Sequence, residues 1–200
     1  MKNTIGQNVS LTLFGESHGG GIGAVIDGLA AGIDVDESFI EKQLDLRRPV
    51  GKISTPRVEK DNFKILSGVF EGKTTGTPIC IVIPNENTKS KDYGEIRFKM
   101  RPSHADFTAN EKYHGFEDYR GGGHFSGRIT AGLVAAGAIA IDTLKKKGII
   151  IGSHISRLGG ISDREFKNLE EDINALNQMQ FADLNGEKAE EMQDRIIKVR

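Results

Sequence analysis

From Gly127 to Lys147 the chain reads GRITAGLVAAGAIAIDTLKKK, apolar or small at nearly every position until its last turn. The spacing predicts one long helix, with Gly148 just past its end and three lysines at the negative end of its dipole. A helix apolar all round has no wide face to give to water, so it must be buried on several sides. What can bury it is legible elsewhere. Val9, Leu11 and Leu13 alternate as a strand does, and Ile22, Ala24 and Ile26 repeat the pattern after a glycine-rich loop. Further strands are expected at Phe63–Val69, Ile79–Ile83 and Ile149–Ile155, with EGKTTGTP as a turn between the first two. Asp36 is placed to cap a helix carrying Phe39, Ile40, Gln43 and Leu44, which Pro49 ends. A short helix is expected over Thr108–His114 inside the polar stretch 84–126, and a charged helical tail follows Asp163. The fold class is therefore α+β, in layers around a buried central helix.

The length, 200 residues, suits one domain with a real core. The tail runs amphipathically through Met192, Ile196 and Ile197 to Arg200 without a capping signal, so the chain is expected to be the N-terminal part of something longer. A formal net charge of −1 gives no global attraction to nucleic acid or an anionic membrane. The one cysteine, Cys80, excludes an intrachain disulfide and a cysteine-based zinc cluster, and it reads as a small buried hydrophobe. No secretory signal is visible after Met1, and the apolar stretch Ile129–Leu144 reads as too short to span a bilayer. A cytoplasmic location is expected.

The motif Gly15-Glu16-Ser17-His18-Gly19 fits the nucleophile elbow of a serine hydrolase, with Ser17 as nucleophile. An elbow needs a helix straight after the serine, and Gly19-Gly20-Gly21-Ile22-Gly23 is a poor helix start. A plain structural turn and an anion-binding loop are the alternatives.

The cations favour the last of these. Lys42, Arg47, Arg48, Lys52, Arg57 and Lys60 cluster in one stretch, and Arg97, Lys99, Arg101, Arg120 and Arg128 in another. The second stretch also holds His104, His114 and His124. Gly121-Gly122-Gly123 leads through Ser126 into the start of the long helix, where unpaired N–H groups attract anions. Arg128 stands in the first turn, the wrong end of the dipole for a cation, which implies an anion beside it. These features describe a site for a small polyanion read by arginines, with histidines near enough to move protons. They leave open an enzyme, an esterase using Ser17, or a non-catalytic anion-binding module. No P-loop occurs, GxGxxG breaks at Ile26, and neither a metal site nor nucleic-acid binding is supported.

In order and spacing, FGESHGGGIGAVIDGLAAG, RRPVGK, KILSGVFEGKTTGTPI, RPSHAD and DYRGGGHFSGRITAGLVAAGAIA resemble the landmarks of the chorismate synthase family, over residues 3 to about 155. The resemblance implies a β-α-β sandwich that assembles as a homotetramer. It implies a lyase that eliminates phosphate 1,4-anti from 5-enolpyruvylshikimate 3-phosphate to give chorismate, with reduced FMN as cofactor. His18 resembles the histidine that protonates the leaving phosphate, and His104 the one that sets the protonation of the flavin. Ser17, Arg47, Arg48 and Arg128 match positions around the substrate anions. Arg47 also matches a position for NADPH, the reductant where no partner flavin reductase supplies the electrons. His124, Phe125 and Ser126 fall at flavin-contacting positions, although many members read Arg-Ser-Ser-Ala-Arg where this chain has His124 to Arg128, and Ile129 stands where Glu is frequent.

Overall fold

The computed structural model describes residues 2–49, 51–55, 59–86 and 99–199. Arg57 and Arg97, counted above among the clustered cations, lie outside them. The chain forms two compact units, residues 1–44 with 59–140 and residues 45–58 with 141–200.

The first unit is built on an antiparallel sheet. Its strands are β1 (Thr4–Gly6), β2 (Ser10–Gly15), β3 (Gly21–Asp27), β4 (Lys64–Ser67) and β7 (Ile79–Pro84), in the order β1-β2-β3-β7-β4. The 71–78 segment, expected as a plain turn, supplies β6 (Lys73–Thr74), which pairs with β5 (Val69–Phe70) just before it as a small ribbon. Register decides which side chains share a face. Ile22 faces Ile83, Ala24 faces Ile81 and Ile26 faces Ile79, all buried, with Leu11 and Leu13 extending the rows onto β2. The opposite face carries Thr12, Phe14, Val25, Cys80 and Val82, only half-buried. Cys80 is thus on the thinly covered side of the sheet, not in the core, because strand alternation turns it away from Ile79 and Ile81.

Two helices cover the buried face. Helix α1 (Glu37–Arg47) starts where expected: Asp36 Oδ1 accepts from the Phe39 amide at 3.1 Å, and Ile40 and Leu44 are buried. The long helix appears as a 3₁₀ turn, Gly127–Ile129, running into α3 (Thr130–Lys145). Its buried side is made of Ala131, Gly132, Ala135, Ala136, Ala138 and Ile139, while Leu133 is 40% exposed. Small residues let the backbones approach, since a Cβ on Gly132 would come within 2.7 Å of the Gly23 carbonyl oxygen. The continuous run Gly127–Lys145, 19 residues, is long and apolar enough to cross a membrane, contrary to the expectation from Ile129–Leu144. Its buried side chains belong to the core of this unit. Helix α2 (Asp106–Tyr113) ends at His114, which takes up the left-handed conformation as its C-cap.

The second unit departs further from expectation. Residues 149–155 form no strand. Their polar backbone is engaged singly instead, Ile155 N–H donating to Ala182 O at 2.8 Å and Asn177 donating to Ile151 O at 3.0 Å. The unit's strands are the short β8 (Arg157–Leu158) and β9 (Ile161–Ser162), and the tail forms α4 (Leu169–Leu176) and α5 (Gly186–Val199), with Met192 buried.

Candidate functional site

The Ser17–His18 loop is the turn between β2 and β3, so the chain runs strand–turn–strand, and no helix follows Ser17. A nucleophile elbow is thereby lost. Ser17 is also 1% exposed, and its Oγ lies 3.2 Å from Nδ1 of the adjacent His18, itself 8% exposed.

Three glycines hold this loop against the approach to α3. Gly121, Gly122 and Gly123 all have positive φ (58°, 86° and 53°), conformations a side chain would strain. Ser17 N–H donates to Gly123 O at 3.0 Å, and His124 Nδ1 donates to Gly15 O at 2.9 Å. A Cβ on Gly121 would run into the ring of His18, and one on Gly122 would lie 2.7 Å from Cε1 of His104. Adjacent backbone positions, with Cα atoms about 3.8 Å apart, therefore each meet one histidine. Sequence separates His18 from His104 by most of the unit, and the glycine turn touches both.

Arg128 lies deep. Its guanidinium is ion-paired with Asp61, donates from Nε to Asn85 Oδ1 at 3.0 Å and reaches the Pro84 carbonyl at 3.2 Å. Asn85 in turn donates to Glu16 O and Gly19 O at 2.8 and 3.0 Å, tying Arg128 to the Ser17–His18 loop. The anion that the position of Arg128 called for is the protein's own carboxylate. Ser126 caps the 3₁₀ turn, its Oγ accepting from the Arg128 amide at 3.3 Å.

Arg47 and Arg48 belong to the second unit. There they line a cavity of about 480 Å³ with Lys52, Ser54, Thr55 and Gln180, a lining with cations and, among the described residues, no carboxylate. Arg48 is also ion-paired with Asp45. The structure thus groups Ser17, His18 and His104 in one unit and Arg47 with Arg48 in the other.

A cavity of about 490 Å³ in the first unit lies between β2 and the 105–125 segment, walled by Phe14, Tyr113, Phe116, Tyr119 and Phe125. Phe125 faces Tyr113 at 6.1 Å between ring centroids, with Lys112 Nζ 4.4 Å from the Tyr113 ring. Glu16, Asp106, Glu117 and Asp118 also line it, so the cavity suits a flat aromatic group better than a polyanion. Arg120 holds the Asp118 carboxyl below the usual carboxylate range by a side-chain hydrogen bond, against the opposing effect of burial.

The sequence presented Arg101 only as one of the clustered cations, and it left Asp106, Asp61 and Asn85 unmarked. Asp106 shares RPSHAD with Arg101 and His104, and that spacing could have flagged it. Asp61 and Asn85 carry no local signal.

The model of the chorismate synthase family matches residues 9–200. Chorismate synthase of Aeropyrum pernix is 43% identical over 200 residues, 100% of this chain and 53% of the relative. That of a Nitratiruptor species is 52% identical over 165 residues, 82% of this chain and 46% of the relative. A crystal structure of chorismate synthase superposes with a TM-score of 0.69 at 29% identity, covering 96% of this chain and 53% of that one. The chain spans about half the length of these relatives. On fold, landmarks and identity together, it belongs to the chorismate synthase family.

Proposed function

We propose that this chain supplies one half of a chorismate synthase, a cytoplasmic lyase that forms chorismate by 1,4-anti elimination of phosphate from 5-enolpyruvylshikimate 3-phosphate. The observation that carries the reading is the convergence of His18 and His104 on neighbouring glycines in a chain of this family. In this reading Ser17, in the first unit, and Arg47 and Arg48, in the second, are each offered to anionic groups of the substrate, while Arg128, ion-paired with Asp61, supports the Ser17–His18 loop through Asn85. Homotetrameric assembly, and NADPH at Arg47 or a separate flavin reductase as electron source, belong to the same proposal.

The residues fit reduced FMN in one respect. The aromatic walls at Tyr113, Phe116 and Phe125 suit a flat ring, and the glycines leave room for close approach of the main chain. His124, Phe125 and Ser126 would hold the cofactor there. His124 and Phe125 line the cavity, His124 also donating to the Gly15 carbonyl, while Ser126 Oγ accepts from the Arg128 amide. The chemistry the cofactor supplies when bound is electron density for the breaking allylic C–O bond, recovered as the hydrogen leaves.

His18 has Nδ1 3.2 Å from Ser17 Oγ, and in this reading its imidazole delivers a proton to the departing phosphate. Its burial keeps competing water away. His104 holds the proton balance beside the flavin. In a full-length family chain carrying these residues, His18→Ala or His104→Ala should lower kcat by ~10²–10⁴-fold, the usual scale for a general acid–base group. Unchanged turnover in both variants would sink the assignment. Titrating FMN against this chain and the full-length one, with and without the phosphorylated substrate, separates a binding half from a complete site.

A further inference from the structure

Asp106 has no part in the roles assigned so far. It opens α2, and its side chain is 12% exposed. Oδ2 accepts from the Arg101 backbone N–H at 3.0 Å and from Arg101 Nε at 2.8 Å. Oδ1 accepts from Arg101 Nη2 at 2.9 Å and lies 2.6 Å from Nδ1 of His104. The side-chain hydrogen bonds from Arg101 hold the Asp106 carboxyl well below the usual carboxylate range, although burial opposes them. Being ionised, it can only accept. The hydrogen in its contact with His104 must therefore reside on Nδ1.

We propose that Asp106 is a positioning residue that locks His104 as the Nδ1–H tautomer and so turns an unprotonated Nε2 toward the glycine turn. A Cβ on Gly122 would lie 2.8 Å from that Nε2, and Arg101 Nη2 lies 3.4 Å from it and 3.3 Å from Nδ1, farther from Nδ1 than the Asp106 oxygen at 2.6 Å. Which imidazole nitrogen holds the proton is set by the bond the other makes, and a carboxylate anchored by an arginine fork cannot rotate away to serve the opposite tautomer. The lock stands on the 2.6 Å contact and on the arginine fork that keeps the carboxylate ionised. Its consequence for turnover rests on the role given to His104 above.

Asparagine at 106 would keep its oxygen toward the Arg101 amide and Nε and turn its NH₂ toward His104. That NH₂ would donate to Nδ1 and favour the Nε2–H tautomer, the logic by which an Asp-to-Asn change misorients a catalytic histidine elsewhere. The test is long-range ¹H–¹⁵N correlation of the His104 ring in this chain. It is recorded near pH 9, about 2.5 units above the ordinary imidazole value. The wild type should show a protonated Nδ1 and a bare Nε2, Asp106→Asn the reverse, and Asp106→Glu a return toward the wild-type pattern. A wild-type ring protonated on Nε2 overturns the proposal, as does an Asp106→Asn chain that folds and keeps the proton on Nδ1. Where the asparagine variant does not fold, the wild-type spectrum decides. In the full-length chain Asp106→Asn should lower kcat ~10²-fold with KM little changed. A flipped tautomer with full turnover would leave the lock standing and remove the role of His104.

Discussion

A guanidinium whose side chain is 4% exposed needs a counter-charge, and Asp61, with none of its side chain exposed, is the partner of Arg128. Removing one member of such a pair costs about 3–5 kcal/mol, because the other is left charged and out of water. Arg128→Met should therefore lower urea-unfolding stability by that amount. A residue serving only as a substrate ligand would instead raise KM and leave the unfolding midpoint unmoved. Gly121 makes a second prediction at this scale. With φ at 58° and the His18 ring in the space a Cβ would fill, Gly121→Ala should cost at least ~1–3 kcal/mol for the backbone alone. It should also shift the His18 ring resonances, and an alanine variant of full stability with unmoved resonances would contradict the packing described here. The Arg128 position by itself announced an anion, since a cation is ill placed at a positive helix end. That the anion is Asp61, 67 residues away, depends on where β4 and β7 carry the chain.

Helix α3 contains two glycines that the sequence cannot tell apart. Gly132 sits against Gly23 of β3, where a methyl group would overlap the backbone, whereas nothing lies within 4 Å of a Cβ at Gly137. Gly132→Ala should destabilise by ~1–3 kcal/mol through overpacking. Gly137→Ala should stabilise by ~0.5–1 kcal/mol by favouring the helix. Thermal or urea unfolding of the two variants should move in opposite directions. The helix itself was readable because its composition left one way to hide it. The run Ile149–Ile155 shows the converse: its residues favour a strand, but a strand needs an edge to pair with. The Ile151 carbonyl and the Ile155 amide are engaged by Asn177 and Ala182 instead, and Ile149 and Ile151 are about half exposed.

Across the whole molecule each unit holds carboxylates below their ordinary range. Hydrogen bonds from Arg101 and Arg120 do so for Asp106 and Asp118 in the first unit. In the second, Arg164 does so for Asp172, and backbone and His154 hydrogen bonds outweigh burial at Asp163. A carboxylate depressed in the folded state contributes stability that is fully present above its unfolded value, near 3.9, and lost as pH falls through the folded value. Asp183 acts in the opposite sense: burial raises it, so its contribution is present at low pH and lost as pH rises through its folded value. Among the described residues the four depressed groups outnumber it, so the melting temperature should fall as pH drops below about 4. Asp172→Asn should be less stable at pH 7 and show a shallower acid loss. An acid profile equal to wild type would mean that the Arg164–Asp172 pair contributes nothing.

Taken alone, the sequence determined the α+β class, the capped start of α1, the buried alanine-rich helix and the family. Each follows from local periodicity, from a capping residue next to the turn it serves, or from landmarks in order along the chain. It also placed Ser17 and His18 in a glycine-rich loop. Tertiary structure alone decided that Gly121 and Gly122 each seat one histidine, that Asp61 neutralises Arg128, and that Cys80 faces away from the core. Those outcomes depend on sheet register and on contacts between distant segments. Free energy there is set by which groups meet and which are left in water, and no local pattern in the chain encodes that.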